Sequence, residues 1–364
     1  MGDFAPYMNE VISKYESEHS QIKIKWIDVP FSEGEKRTLA AVMTDCPPDL
    51  INLNPDFSAL LAQKGTLWEI DNSSLNTFTP DIVESLKYDG KIYSIPWYAT
   101  SAITIYNKDL LNKSGINTLP KTYEDLFKIS AKIKEKTGSY SYLPTITEND
   151  TMIKVLNKYG VSEIKDFNSV ESQKLFEMFK ELYQKDLIPP ETITMTHREA
   201  LEQYMAGKVV FYQGGANFLN IIKENAPKTY SQTDVAEQIK GPLGQNDFSL
   251  MNFVIPLRAK HKEEALDFCL YLTNEENQLK LAKLTNIIAT NSNALNDKFY
   301  NDYSDLTSKS RSISAKQIQK ITPTLKQKQG QKEINLGVNK AVQEILLNKD
   351  SIVNVLNKLV KSMQ

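Results

Sequence analysis

Apolar side chains recur at helical spacing from the start of the chain. Phe4, Tyr7, Met8, Val11, Ile12 and Tyr15 share one face. Asp3 can cap this helix, and Pro6 is tolerated in its first turn. The period then drops to two: Ile22, Ile24 and Trp26 alternate with Lys23 and Lys25, which predicts a strand. A helix over 33–43 is stopped by Pro47-Pro48, and a short strand follows over 50–53. The next helix, over 56–64, closes on Gly65. Residues 88–95 read as a hairpin, because Asp89-Gly90 favours a type I′ turn, and 102–106 as another strand.

From Asn107 the pattern is mostly helical. Asn107 caps a short helix ending near Gly115. Thr122 and Asp125 form a capping box for a helix to about 136, and Thr196 and Glu199 form a second one before a helix ending at Gly207. Helices are also expected over 152–159 and 170–185. Residues 209–212 read as a buried strand, and Gly214-Gly215 as a tight turn into a helix over 217–223. A turn-rich loop over 241–246 precedes a strand over 250–255. Helices over 262–273 and 275–284, a short strand over 287–289 and polar helices over 331–348 and 351–363 complete the chain. Helix and strand alternate early, which predicts an α/β fold with parallel sheets and crossover helices. Its 364 residues suggest two domains. No repeat, low-complexity tract or long linker separates them, so they are expected to interleave.

Composition removes several function classes. Net charge is −2, without the basic excess of a nucleic-acid binder. No apolar run reaches the roughly 18 residues a membrane helix needs. Cys46 and Cys269 are the only cysteines, so no disulfide framework or Cys-rich zinc module is possible; both are expected to be free, buried thiols. There are 17 Tyr, 14 Phe and 3 Trp but only 3 His. Arginine is confined to Arg37, Arg198, Arg258 and Arg311.

Candidate chemistry is correspondingly sparse. His19, His197 and His261 form no metal motif, and His19 and His261 are expected on the surface. No nucleophile elbow, phosphate-binding loop or dinucleotide fingerprint occurs, so neither metal nor cofactor is expected. Glu148 and Asp150 suit sugar hydroxyls or a cation, or simply a solvated loop. Asp56 follows a strand end, where ligands bind in open α/β sheets; it equally suits a helix cap. Trp97-Tyr98 sits at the end of the hairpin beside a polar stretch. Flat rings beside hydrogen-bonding groups suit sugars, though both rings equally suit a core. Trp68, Phe218 and Phe248 are similar candidates.

Several stretches together resemble one family. Tyr88-Asp-Gly-Lys-Ile-Tyr-Ser-Ile-Pro-Trp97-Tyr98 is similar to its "y-G-k-x-Y-x-i-P" segment. Tyr106-Asn107-Lys108-Asp109-Leu110-Leu111, with Gly115, Pro120, Thr122 and Leu126, is similar to its "YNKDLF…G…P.TW.E" signature. Cys46-Pro-Pro-Asp-Leu-Ile51 resembles its "PDV" strand entry. Residues 200–215 resemble "F..GKAAM...G", and residues 265–278 resemble "A..F..FL.S.E.Q". In order over about 3–291, these segments resemble family 1 extracellular solute-binding proteins, the maltose-binding-protein-like receptors of ABC importers.

The resemblance implies a two-lobed, type II periplasmic-binding-protein-like α/β fold, each lobe a mainly parallel sheet flanked by helices. Lobe one would take 1–106 and 253–300, and lobe two 107–252 and 301–364. Crossings would fall near 104–107, 250–253 and 299–304, with Tyr106, Asn107 and Phe253 at the hinge. By position, Asp56, Trp97, Tyr98, Gln213, Gly214, Gly215, Phe218 and Asn252 would face the ligand. The family begins with a strand and loop before its first helix; here the helix starts at once. A first strand and an export signal, in lipoproteins ending at a lipidated cysteine, are therefore expected to precede Met1-Gly2 in the precursor.

The implied function is capture of a carbohydrate outside the cytoplasm by lobe closure and delivery to ABC permease subunits. A monomer is expected, without catalysis, nucleic acid or membrane contact other than a lipid anchor. Scarce arginine favours a neutral oligosaccharide, since anion receptors use bidentate Arg. The alternatives are a receptor for a polyamine or glycerol-phosphate compound, and a carbohydrate-active enzyme.

Overall fold

A computed structural model describes residues 4–29, 31–319 and 331–363; the proposed cap Asp3 lies outside the described residues. Nine strands are described: β1 (Ile51–Leu53), β2 (Lys87–Tyr88), β3 (Lys91–Ile92), β4 (Ser94–Asn107), β5 (Tyr140–Tyr142), β6 (Val209–Gly215), β7 (Thr233–Glu237), β8 (Phe248–Val254) and β9 (Ile288–Ala289). Helices occupy most of the remainder. The chain divides into two compact, interleaved units. One holds the described residues of Met1–Thr100, Phe248–Tyr303 and Ile318–Gln329. The other holds Ser101–Asp247, Ser304–Gln317 and the described residues of Gly330–Gln364. The chain thus passes between units at 100/101 and 247/248, upstream of the crossings read from the sequence, at 303/304 and again at 317/318.

In the first unit β1 pairs antiparallel with β8, Ile51 opposite Val254. Tyr98 and Ala99 of β4 pair antiparallel with β9. The Asp89-Gly90 turn joins β2 to β3 with both residues at positive φ, as a type I′ turn requires. Helix Phe4–Glu18 buries Tyr7, Met8, Val11 and Tyr15 against this core.

The strand expected at Ile22–Trp26 is not formed: residues 22–29 have neither helix nor strand. Ile22, Ile24 and Trp26 do pack on the core, which accounts for their alternation. A strand also needs a ladder partner, and here the Ile24 amide donates instead to the Glu16 carboxylate at 2.8 Å.

In the second unit β4 continues from Ala102 to Asn107, antiparallel to β6 on one side and β7 on the other. β5 and β6 are parallel. The sheets are therefore not mainly parallel: β4–β6, β4–β7, β4–β9 and β1–β8 all run antiparallel. Later chain returns against β4 rather than crossing over beside it. One apolar cluster joins Phe211 to the helices Tyr123–Thr137, Val170–Gln184, Gln331–Leu346 and Ile352–Ser362. A second joins Ile103, Ile105 and Tyr212 to helices His197–Met205 and Phe218–Asn225. A sheet covered on both faces reads as continuous apolar sequence, which is why β4 and β6 were legible. β7, Thr-Asp-Val-Ala-Glu, is too polar and short to announce itself.

Candidate functional site

The first unit presents its polar residues where β1 runs into helix Pro55–Gln63. Asn54 caps that helix, its side chain accepting from Phe57 N at 2.8 Å. The cap role considered for Asp56 therefore falls to Asn54. Asp56 is exposed in the first turn, where the helix dipole favours a carboxylate. Asn252 on β8 is fully buried; its Nδ2 donates to Ser58 Oγ at 2.7 Å. Ser58 Oγ donates onward to Asn54 O at 3.0 Å, and Asn52 Nδ2 donates to Asn252 O at 3.1 Å. Asn252 Oδ1 has no partner among the described residues. Beside these residues lies a shallow depression lined by Pro55, Ser58, Ala59, Tyr88 and Tyr93 among others. The hairpin thus brings two half-buried tyrosines to the start of the helix.

Trp97 is 7% exposed. Phe253 packs on it at 4.7 Å between ring centroids, Tyr98 at 5.0 Å and Phe4 at 5.5 Å. As a stacking platform it has little face to offer, because it is buried among these three rings. Its Nε1 has no partner among the described residues. Tyr98 is half-buried, and burial raises its hydroxyl pKa to about 12. Gln278 holds this segment: its Nε2 donates to Trp97 O at 2.6 Å, and its Oε1 accepts from Thr290 N at 2.7 Å. Of the remaining candidates in this unit, Trp68 is half-buried and Phe248 is buried.

In the second unit the C-terminal ends of the parallel strands β5 and β6 define an edge, the usual ligand side of such sheets. Gly214 and Gly215 lie in strand rather than in a tight turn, opposite Ile103 and Ala102. Close approach of rings favours glycine at 214, whereas at 215 only the exposed Asn217 side chain would have to move. A Cβ on Gly214 would come 2.4 Å from the Tyr212 ring and 3.0 Å from Phe218, and one on Gly215 2.4 Å from Asn217 Oδ1. Phe218 is half-buried and meets Tyr212 edge-on at 5.7 Å. Gln213 has both ends of its amide committed: Nε2 donates to Thr104 Oγ1 at 2.7 Å and Oε1 accepts from Ile239 N at 3.2 Å.

The loop after β5 meets the start of helix His197–Met205. Glu148 Oε2 accepts from His197 N at 2.5 Å and lies 3.2 Å from His197 Nδ1. Thr145 Oγ1 also bonds His197 Nδ1, and the Tyr212 hydroxyl donates to His197 O at 3.2 Å. Partial burial lowers the imidazole pKa, and Lys154 lowers it further, against Glu148 and Asp150. Asp150 pairs with Lys154 at 3.2 Å. Glu148 is therefore built in rather than merely solvated. His197 and Thr145 were missed as neighbours; the Thr196–Glu199 capping box was the one local clue that this helix starts here.

The proposed hinge residues sit inside regular elements. Tyr106 donates its hydroxyl to Asp234 at 3.2 Å; burial first and Asp234 second push its pKa up to about 12. Asn107 caps helix Lys108–Lys113, accepting from Asp109 N and Leu110 N at 3.0 Å each. Phe253 is buried against Trp97. Both cysteines are free, but Cys46 is exposed, since it lies in the turn after helix Phe31–Val42, while Cys269 is buried. Among the described residues no three His, Cys, Asp or Glu side chains could hold a metal, and no helix is long and apolar enough to cross a membrane.

Two interleaved α/β units with polar residues at their strand ends define a solute-binding fold of the periplasmic-binding-protein kind. A crystal structure of a candidate oligosaccharide periplasmic-binding protein from Synechococcus sp. MITs9220 superimposes with a TM-score of 0.90 at 25% identity, covering 100% of this chain and 95% of that one. The chain belongs to the bacterial extracellular solute-binding protein family, whose sequence model matches residues 10–308. A candidate binding protein of Brucella abortus is 24% identical over 362 residues, 94% of this chain and 85% of that one. The galactooligosaccharide-binding protein of Bacillus subtilis is 22% identical over 286 residues, 74% of this chain and 66% of that one. The family is one of binding proteins, not enzymes.

Proposed function

We propose that this chain is an extracytoplasmic receptor that captures a neutral oligosaccharide by closure of its two units. It delivers the sugar, as a monomer tethered by a lipid anchor, to the permease subunits of an ABC importer. The end-to-end likeness to a candidate oligosaccharide-binding protein carries this reading, and the galactooligosaccharide-binding relative supports it. The chemistry at the strand ends agrees with it. Asp56 and Asn52 offer polar groups, backed by the buried Asn252–Ser58 pair, and the half-buried Tyr88, Tyr93, Tyr98 and Phe218 offer rings. The one arginine near a proposed crossing, Arg258, is exposed and pairs through Nη1 with Asp45 at 3.3 Å.

We assign the ligand contacts to Asp56, Tyr98, Gly214, Gly215 and Phe218, with Trp97, Gln213 and Asn252 behind them. The test is a thermal-shift screen followed by calorimetry, with galactooligosaccharides, chitooligosaccharides, maltodextrins, sugar phosphates and spermidine. A ligand at 100 times its Kd stabilises the native state by about 2.7 kcal/mol. Stabilisation by a neutral oligosaccharide is expected; stabilisation by sugar phosphates or spermidine alone overturns the neutral-ligand reading.

A further inference from the structure

We infer that Lys158 and Asp247 are positioning residues for closure: they anchor one buried polar network, inside the second unit, that grips three of the chain's passages to the first unit together. The inference rests on the closure reading above. The second-unit residues that adjoin the passages at 100/101, 247/248 and 317/318 are Ser101, Asp247 and Gln317. All three belong to the network.

Gln238 stands at its centre, 2% exposed. Its Nε2 donates to Ser101 Oγ at 3.2 Å and to Asp247 O at 3.1 Å, while its Oε1 accepts from Asp247 N at 2.8 Å. Gln317, 3% exposed, donates through Nε2 to Ser101 Oγ at 2.9 Å and to Ala102 O at 2.8 Å, and its Oε1 accepts from Gln238 N at 2.8 Å. Lys158, 2% exposed at the end of helix Thr151–Lys158, closes the set. Its Nζ lies 2.8 Å from Asp247 Oδ2 and donates to Gln238 Oε1 at 3.1 Å and to Ile239 O at 2.8 Å. The loop leading to Asp247 is pressed onto the same helix end: a Cβ on Gly241 would lie 2.5 Å from Lys158 O.

Buried amides and charges must keep their partners. Moving any one passage strips hydrogen bonds from the other two, because Gln238 bridges Ser101 and Asp247, Gln317 bonds Ser101, and Asn246 beside Asp247 donates through Nδ2 to Gln317 O at 3.3 Å. The three passages therefore move as one body with the second unit. The change in backbone dihedrals falls on the residues just beyond: Thr100, Phe248 and Ile318. None of the three was among the hinge residues read from the sequence.

Hydrogen exchange by mass spectrometry tests this on the unliganded full chain, comparing wild type with Lys158→Met/Asp247→Asn. Exchange is expected to rise at least tenfold together in peptides over 98–104, 236–249 and 312–318, with 170–184 within twofold of wild type. A rise confined to 151–160 overturns the inference, because the ion pair then serves only its own helix. Where the double variant fails to fold by circular dichroism, Asp247→Asn alone carries the same criteria, its backbone bonds being intact. Small-angle scattering of wild type with and without maltotetraose and galactotriose tests the reading beneath. Compaction is expected with one of them. Absence of compaction with a sugar that calorimetry shows to bind overturns closure, and with it the role assigned here, whatever the exchange shows.

Discussion

The two units hold their candidate surfaces by different physics. In the first, the ring of Trp97 is wedged among Phe4, Tyr98 and Phe253, and the polar residues stand on a short relay from Asn252 to Ser58 to Asn54. In the second, one buried ring, Tyr212, serves the edge as a wall and as a donor to His197 O rather than as the centre of a ring cluster. Gly214 and Gly215 let Tyr212, Phe218 and Asn217 close in, and hydrogen bonds of Gln213, Glu148 and His197 fix the rest. The difference implies that truncation in the first unit is chiefly a stability event. In the second unit, adding atoms displaces the side chains that define the edge.

The largest expected effect sharpens that contrast. Trp97→Ala should destabilise the protein by about 3–5 kcal/mol, as for other buried Trp truncations, measured by urea unfolding. The same change at half-buried Phe218 should cost under half as much and act mainly on sugar affinity. Equal losses would erase the distinction. Next is Gly214→Val, expected to cost about 1–3 kcal/mol through overpacking and to weaken binding of the oligosaccharide found in the screen. If a crystal structure of the variant leaves Tyr212 and Phe218 in place, the glycine argument fails. Asn252→Leu should cost about 1 kcal/mol, the net worth of its bond to Ser58, read from the urea midpoint. A stabilised variant would mean the unpaired Oδ1 outweighs that bond.

The smallest effect is pH-dependent. The folded chain disfavours the charged His197 imidazole, whereas the unfolded chain takes up that proton near pH ~6.5. Stability from this site is full above ~6.5 and is lost as pH falls through the lower, folded value. The side chain is 45% exposed, so solvent screens the effect. His197→Gln should flatten the urea midpoint between pH 7 and 5; an unchanged slope would place its source elsewhere.

Local signals were read well because their physics is local. Thr122 with Asp125 and Thr196 with Glu199 form reciprocal capping boxes, and Asp89-Gly90 forms the type I′ turn. Sequence patterns failed where a partner from far away decided the outcome. Ile22–Trp26 has the alternation of a strand, yet the Ile24 amide goes to Glu16. Gly214-Gly215 has the composition of a turn, yet pairs with Ile103 and Ala102. Asp56 suits a cap, yet Asn54, two residues earlier, takes the Phe57 amide. Of the candidate site residues, the sequence marked Asp56, Tyr98, Phe218 and the glycines, but did not bring Thr145 to His197 or rank Trp97 as core.

The sequence by itself determined where the capped helices start, such as those opened by Thr122 and Thr196, that helices and strands intermix in an α/β chain, and the ordered motifs resembling extracellular solute-binding proteins. These follow from periodicity, capping and turn residues, each acting within a few positions. Only the tertiary structure decided that Gln278 holds Trp97 from 181 residues away and that Lys158 meets Asp247. It also decided that buried Gln238 joins Ser101 to Asp247 and that Gln317 bonds the same Ser101. A hydrogen bond between residues distant along the chain leaves no periodic trace. Its requirement, that a buried polar group find a partner, is met only when the fold brings the two ends together.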